Sequence, residues 1–274
     1  MLALFDSGFG GLTVLKELAK ALPNYNFAYL GDNARAPYGS RSFESIYRYT
    51  LEAVCYLFSL GCPLVILACN TASAKALRTI QQKDLPLMAP NNRVLGIIRP
   101  MAEEAGNFTK TGHIGILGTE GTINSGSYLM EIAKFWPDLH VEQEACPMLV
   151  PLVENGLLNH PATEMFIREY TQKILAKEPR IDTLVLACTH YPLLQHIFAK
   201  ILPKNVKIVS QTSVIAQKTL EYLAKHPEID SRIGKNLEKS GEIRFLTTDS
   251  AEFFERGANS FWGNPIKAKN VFLH

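Results

Sequence analysis

Cys69 and Cys188 stand in nearly the same phrase. Residues 67–71 read LACNT and residues 186–190 read LACTH, and each copy places a cysteine where an apolar run stops. Asn70-Thr71 follows the first and Thr189-His190 the second, residues suited to starting a helix. A helix start has unpaired amides and the positive end of a dipole, so it accepts a carboxylate or phosphate and favours thiolate over thiol. A thiol placed there is expected to fall from about 8.5 toward 7. One such cysteine would suggest a nucleophile or a redox sensor. Two on opposite walls of one cleft suggest a symmetric reaction, in which a carbon stereocentre loses a proton from one face and gains one on the other. A thiol–thiolate pair has the matched strengths that this exchange needs. The alternative is two buried structural cysteines, although inert cysteines more often lie within elements than at strand-to-helix ends.

Other chemistry-bearing residues sit nearby in the pattern. The segment DSGFGG (6–11) ends the first apolar run with Asp6 and Ser7, which directs Asp6 toward the same cleft. As a bland alternative, Asp6 is a turn or cap residue. The dinucleotide pattern G-x-G-x-x-G is not met, because Thr13 stands where the third glycine belongs. His190, two residues past Cys188, is either a cap residue or a group that tunes the thiol's protonation. Lys75 reads as a solvated helix position rather than a Schiff-base lysine. Cys55 and Cys62 read as small buried hydrophobes, and Cys146, before Pro147, as structural. Five cysteines, with no C-x-x-C and no ligand-like Cys/His spacing, argue against a disulfide framework and against zinc.

The elements that must position these groups alternate in type. Apolar runs at 2–5, 26–30, 63–68, 113–118, 139–145, 183–187, 206–210 and 242–248, with NVFL near the end, predict strands. Between them, helices are expected over 13–21, 43–60, 71–82, 123–135, 161–177, 191–202, 213–224 and 250–262. Alternation of this kind predicts an α/β fold with mostly parallel sheets flanked by helices. The two cysteine phrases occupy equivalent places in two such series, which predicts two similar lobes with the site in the cleft between them. Residues 1–97 plus 209–274 are expected to form the first lobe and 98–208 the second.

The totals bound the rest. With 47% apolar and 20% charged residues, a chain of 274 can bury its core without help. A net charge of +2, from 28 basic and 26 acidic residues, gives no field that would favour nucleic acid or an anionic membrane. The uncharged stretch 53–74 is interrupted by Gly61-Cys62-Pro63 and reads as helix, turn and buried strand rather than a membrane span. No secretory segment is legible, and a cytoplasmic protein is expected.

Taken in order, DSGFGGLTV, GDNARAPYG, LACNTASA and LACTHYPLL resemble the cofactor-independent glutamate racemases of the aspartate/glutamate racemase family. The likeness runs nearly end to end. It implies interconversion of L- and D-glutamate without a cofactor, supplying D-glutamate for peptidoglycan, commonly by a homodimer. A relative acting on aspartate or another small amino-acid derivative is the alternative. The resemblance assigns Cys69 the proton of D-glutamate and Cys188 that of L-glutamate. Asp6 would assist Cys69, and His190 with Glu154 behind it would assist Cys188. Ser7, Tyr38 and Gly39 match positions that hold the side-chain carboxylate. Asn70, Thr71 and Thr189 match those around the α-carboxylate and amine, and Thr119 and Thr122 match positions lining the pocket. Phe9, Asn33 and Arg99 depart from the family's usual residues without removing a chemical group. The chain starts at its first strand, which argues against regulation through an N-terminal extension.

Overall fold

A computed structural model describes residues 1–236 and 238–273. Its first strand, β1 (Leu2–Asp6), is buried along its whole length, as a strand covered on both faces must be. The same holds for β2 (Phe27–Gly31) and β3 (Leu64–Leu67), which flank it. Adding β4 (Arg93–Gly96), β9 (Ile243–Thr247) and β10 (Ala268–Asn270) completes a six-stranded sheet in the order β10-β9-β2-β1-β3-β4. Every pairing in it is parallel. A second parallel sheet runs β6-β5-β7-β8, built from β5 (His113–Gly118), β6 (His140–Ala145), β7 (Thr183–Ala187) and β8 (Lys207–Ser210). Helices flank both sheets, giving the two-lobed α/β architecture, and one apolar core runs through both lobes.

The strand order fixes where a ligand can sit. From β1 the chain moves to one side to form β2 and to the other to form β3, so the order reverses between β1 and β3. In the second sheet it reverses between β5 and β7. Crevices open beyond the carboxyl ends of strands at such points. Asp6 and Cys69 stand at the first, Thr119 and Cys188 at the second.

Several boundaries differ from expectation. β4 was not expected, because RVLG is too short to show a periodic signal. The last strand is Ala268–Asn270 rather than NVFL, since pairing with β9 decides it. The helix Ile98–Phe108 was also unread. Pro100 lies in its first turn, where the missing N–H has no partner to lose. Ile98, Met101, Ala102 and Ala105 pack with Ile114, Val185 and Val209. β8 spans the expected 208/209 boundary and stays paired with β7 through Ser210. Phe9 stacks on Phe254 and Phe261, Asn33 accepts a hydrogen bond from Thr247, and Arg99 pairs with Glu103 on the surface.

Candidate active site

Cys69 caps the short helix Asn70–Lys75, whose Ala72 amide donates to its sulfur at 3.5 Å. The thiol also reaches the Ser7 hydroxyl at 3.5 Å. Beneath it lies Asp6, fully buried, accepting from the Gly8 amide at 3.0 Å and the Thr189 hydroxyl at 3.4 Å. Burial pushes the Asp6 carboxyl above its ordinary value, and the charge of His190 and the amides of Gly8 and Gly11 offset only part of this. Cys69 is pushed up to about 12, first by burial and then by the Asp6 charge, against the opposing Ser7 and Ala72 hydrogen bonds. A thiol lowered by its helix start was expected. The structure reverses that, because removing solvent from a thiolate costs more than one amide returns.

Cys188 stands one residue past β7 and is followed by a tight 3-10 turn, Tyr191–Leu194, before the α-helix Gln195–Ile201 begins. Its sulfur lies 3.8 Å from His190 Nδ1, and His190 Nε2 lies 3.0 Å from Glu154 Oε1. Burial alone would push the imidazole down. Its hydrogen bonds to Cys188 and Glu154, and their negative charge, outweigh burial and hold its pKa at about 10. Glu154 closes the helix Leu149–Glu154. Gly10 lets the two lobes meet here: a Cβ on it would fall 2.2 Å from Thr189 Oγ1 and 2.5 Å from His190 Nδ1.

Both cysteines line one cavity of about 120 Å³ between the sheets. That is small against the roughly 300–1,000 Å³ of drug-sized sites, and it suits a compact metabolite. Ser7, Tyr38, Gly39, Asn70, Thr71, Thr119, Thr189, His190 and Glu154 share the lining. Asp6 and Thr122 do not. Asp6 sits one layer behind Cys69, and Thr122, fully buried, bonds the Thr119 hydroxyl at 3.0 Å. Thr119 in turn meets the Thr71 hydroxyl at 2.9 Å, across the cleft. The Tyr38 hydroxyl is committed to Asp32, so the ring lines the wall and its polar tip faces away. Lys75 donates to the Arg41 carbonyl outside the cavity, and Cys146 is buried, with its thiol pushed well up by burial.

The lining also includes residues that sequence reasoning missed. Pro37, Ser40 and Glu120 adjoin positions already singled out, and adjacency could have found them. Pro147, Val150 and Pro151 lead into Glu154 and carry only apolar character as a signal.

The family described as Asp/Glu/Hydantoin racemase matches residues 11–219. The chain belongs to that family. A glutamate racemase from Persephonella marina is 42% identical over 99% of this chain and 97% of its own length. The crystal structure of a glutamate racemase isoform from Bacillus anthracis superposes with a TM-score of 0.90 at 35% identity, covering 100% of this chain and 97% of that one. A Francisella tularensis glutamate racemase, solved in complex with D-glutamate, gives 0.86 at 29% identity over 99% and 97%. Family membership makes the chain an isomerase acting on a small molecule, with the two-lobed fold of these solved racemases. Among the described residues no helix is long and apolar enough to cross a membrane.

Proposed function

We propose that this chain interconverts L- and D-glutamate by cofactor-independent proton transfer between Cys69 and Cys188. The observation carrying this reading is the pair of thiols on one small cavity, each delivered by the reversal point of a different sheet. In the L-to-D direction Cys188, beside the cationic His190, takes the α-proton as thiolate. Cys69, held as a thiol by its buried setting, gives a proton to the opposite face of the carbanion. The reverse direction exchanges the roles. Glu154 holds the imidazole, and Asp6 sets the charge behind Cys69. Donors from Asn70, Thr71 and Thr189, all buried, support the charge that develops on the α-carboxylate. Ser7 and the Tyr38-Gly39 turn hold the side-chain carboxylate, with Thr119 and Thr122 bracing the wall.

The same reading makes the chain a cytoplasmic homodimer supplying D-glutamate for peptidoglycan. Five unpaired cysteines suit a reducing compartment. The deciding experiment follows circular dichroism of each glutamate enantiomer in deuterated buffer, with both aspartate enantiomers in parallel. Decay of the glutamate signal to zero, with one solvent deuterium in the product enantiomer, is the expected result. Turnover of aspartate without glutamate would move the chain to the alternative substrate. Product without deuterium would overturn the two-base mechanism.

A further inference from the structure

Asn70 is 2% exposed and lines the cavity, yet its Nδ2 has no hydrogen-bond partner among the described residues. Its Oδ1 is occupied: the fully buried Tyr128 hydroxyl lies 2.9 Å away. The same hydroxyl lies 3.2 Å from Oε1 of Gln211, which is also fully buried and whose Nε2 is also without a partner. These three residues come from different places. Asn70 follows β3, Tyr128 lies on the helix Ser127–Phe135 beside the second sheet, and Gln211 opens the helix Gln211–Lys225.

A phenol has one proton to donate, so it cannot serve two carbonyl oxygens at once. The shorter contact gives that proton to Asn70. An amide's nitrogen and oxygen occupy interchangeable positions, and the hydrogen-bond chain decides which stands where. Turning the Gln211 amide brings its NH2 to the phenol oxygen, which gives Nε2 a partner and removes a contact between two acceptors, and it leaves Oε1, an acceptor, where Nε2 stood. The chain then runs in one direction, from Gln211 N–H to Tyr128 O–H to Asn70 Oδ1. One buried donor is left over, the NH2 of Asn70, at the cavity wall. Leaving a buried N–H unpaired is costly, so the group is kept for something that enters the cavity and accepts.

We propose that Tyr128 and Gln211 are positioning residues that set the polarity of Asn70, presenting its NH2, and not its carbonyl, to a carboxylate of the substrate. This rests on the reading that the substrate is an amino acid held in that cavity. Run in the opposite direction, the chain would turn the Asn70 carbonyl to the cavity, where it would suit the substrate ammonium and repel its carboxylate. Neither positioning residue touches the substrate, and Tyr128 reaches it only through Asn70.

The test compares Tyr128→Phe, Gln211→Met and Gln211→Glu with the wild-type enzyme, measuring kcat and KM with both glutamate enantiomers. Tyr128→Phe keeps the ring and removes the proton, so the Asn70 amide is free to turn. KM is expected to rise about tenfold for both enantiomers, with a smaller change in kcat. Gln211→Glu keeps the shape and supplies only acceptors, which draws the phenol proton away from Asn70 and reverses the chain. Its KM should rise more than that of Gln211→Met, which removes the donor without reversal. Since a buried carboxylate can disturb folding, Tyr128→Phe is also combined with Asn70→Ala. In that background its effect on KM should vanish to within about twofold. A KM unchanged in Tyr128→Phe, or an effect that persists undiminished beside Asn70→Ala, overturns the assignment while wild-type turnover stands. A wild-type enzyme that turns over neither glutamate enantiomer overturns the functional reading and this assignment with it.

Discussion

The two cysteine half-sites repeat a phrase of sequence but not an environment. Around Cys69 the nearest charge is a buried carboxylate, Asp6, and the direct contacts are a hydroxyl and an amide. Around Cys188 the nearest charge is an imidazole held cationic near neutrality by Glu154 and by the sulfur itself. Burial and the like charge of Asp6 favour the protonated form of Cys69. The two half-sites are therefore unlike before substrate arrives: a proton is held at Cys69, and a cation stands beside Cys188. A reaction with mirror-image endpoints does not need mirror-image machinery.

Removing either sulfur breaks this comparison most severely. Cys69→Ala and Cys188→Ala should each lower interconversion by about 10²–10⁴-fold or more, read by circular dichroism, because the proposed mechanism gives each thiol one of its two proton transfers. Wild-type turnover in either variant would end the two-base assignment.

The neighbours sharpen it. Glu154→Gln removes one of the two groups that keep His190 protonated, and Asp6→Asn removes the like charge behind Cys69. The two enantiomers of glutamate have equal free energy, so kcat/KM must stay equal in both directions in every variant. The asymmetry is expected in kcat and KM taken separately: roughly 10–100-fold in kcat from L-glutamate for Glu154→Gln, and mainly from D-glutamate for Asp6→Asn. Equal changes in both directions would show that the environments do not divide the work.

Packing between the half-sites comes next. In Gly10→Ala the new methyl meets Thr189 and His190 at distances no side chain tolerates, so the Cys188 wall must shift. A loss of about 1–3 kcal/mol in denaturant unfolding and a fall in kcat are expected.

The pH response is gentler. His190 has a folded value near 10 against 6.5, so its stabilisation is complete below about pH 6.5 and is lost as the pH climbs toward 10. Cys69, at about 12 against 9.0, has the same sign and contributes its loss between those limits. Tm should fall from pH 7 to 10, and less steeply in His190→Gln. Smallest of all, Cys55→Ser should leave activity within about twofold, since this thiol lies outside the cavity and, contrary to the expectation of a buried hydrophobe, is exposed, whereas Cys62 is buried.

Much of the fold was legible in the chain because buried parallel strands are written as unbroken apolar runs. LALF, PLVIL and TLVLA left little choice. β4 escaped because four residues on the flank of a sheet carry no period, and the helix Ile98–Phe108 was unread as well. Within the site, Cys69, Cys188, His190 and Glu154 were legible as chemistry at strand ends or through the family's pattern. Glu120 and Val150 were not, since nothing in an exposed glutamate or a lone valine marks a wall. The orientation of Tyr38 was also hidden, because only the folded chain brings Asp32 to its hydroxyl.

By itself, the sequence determined which groups could exchange protons and that two α/β series would carry them, since residue type and apolar period are local properties. Only the tertiary structure decided how Cys69 is tuned. A pKa depends on burial and on charges brought from distant parts of the chain, so Cys69 could be expected to fall and yet be driven upward. The contacts that join Gln211, Tyr128 and Asn70 were likewise made by proximity in space, between residues that no sequence pattern connects.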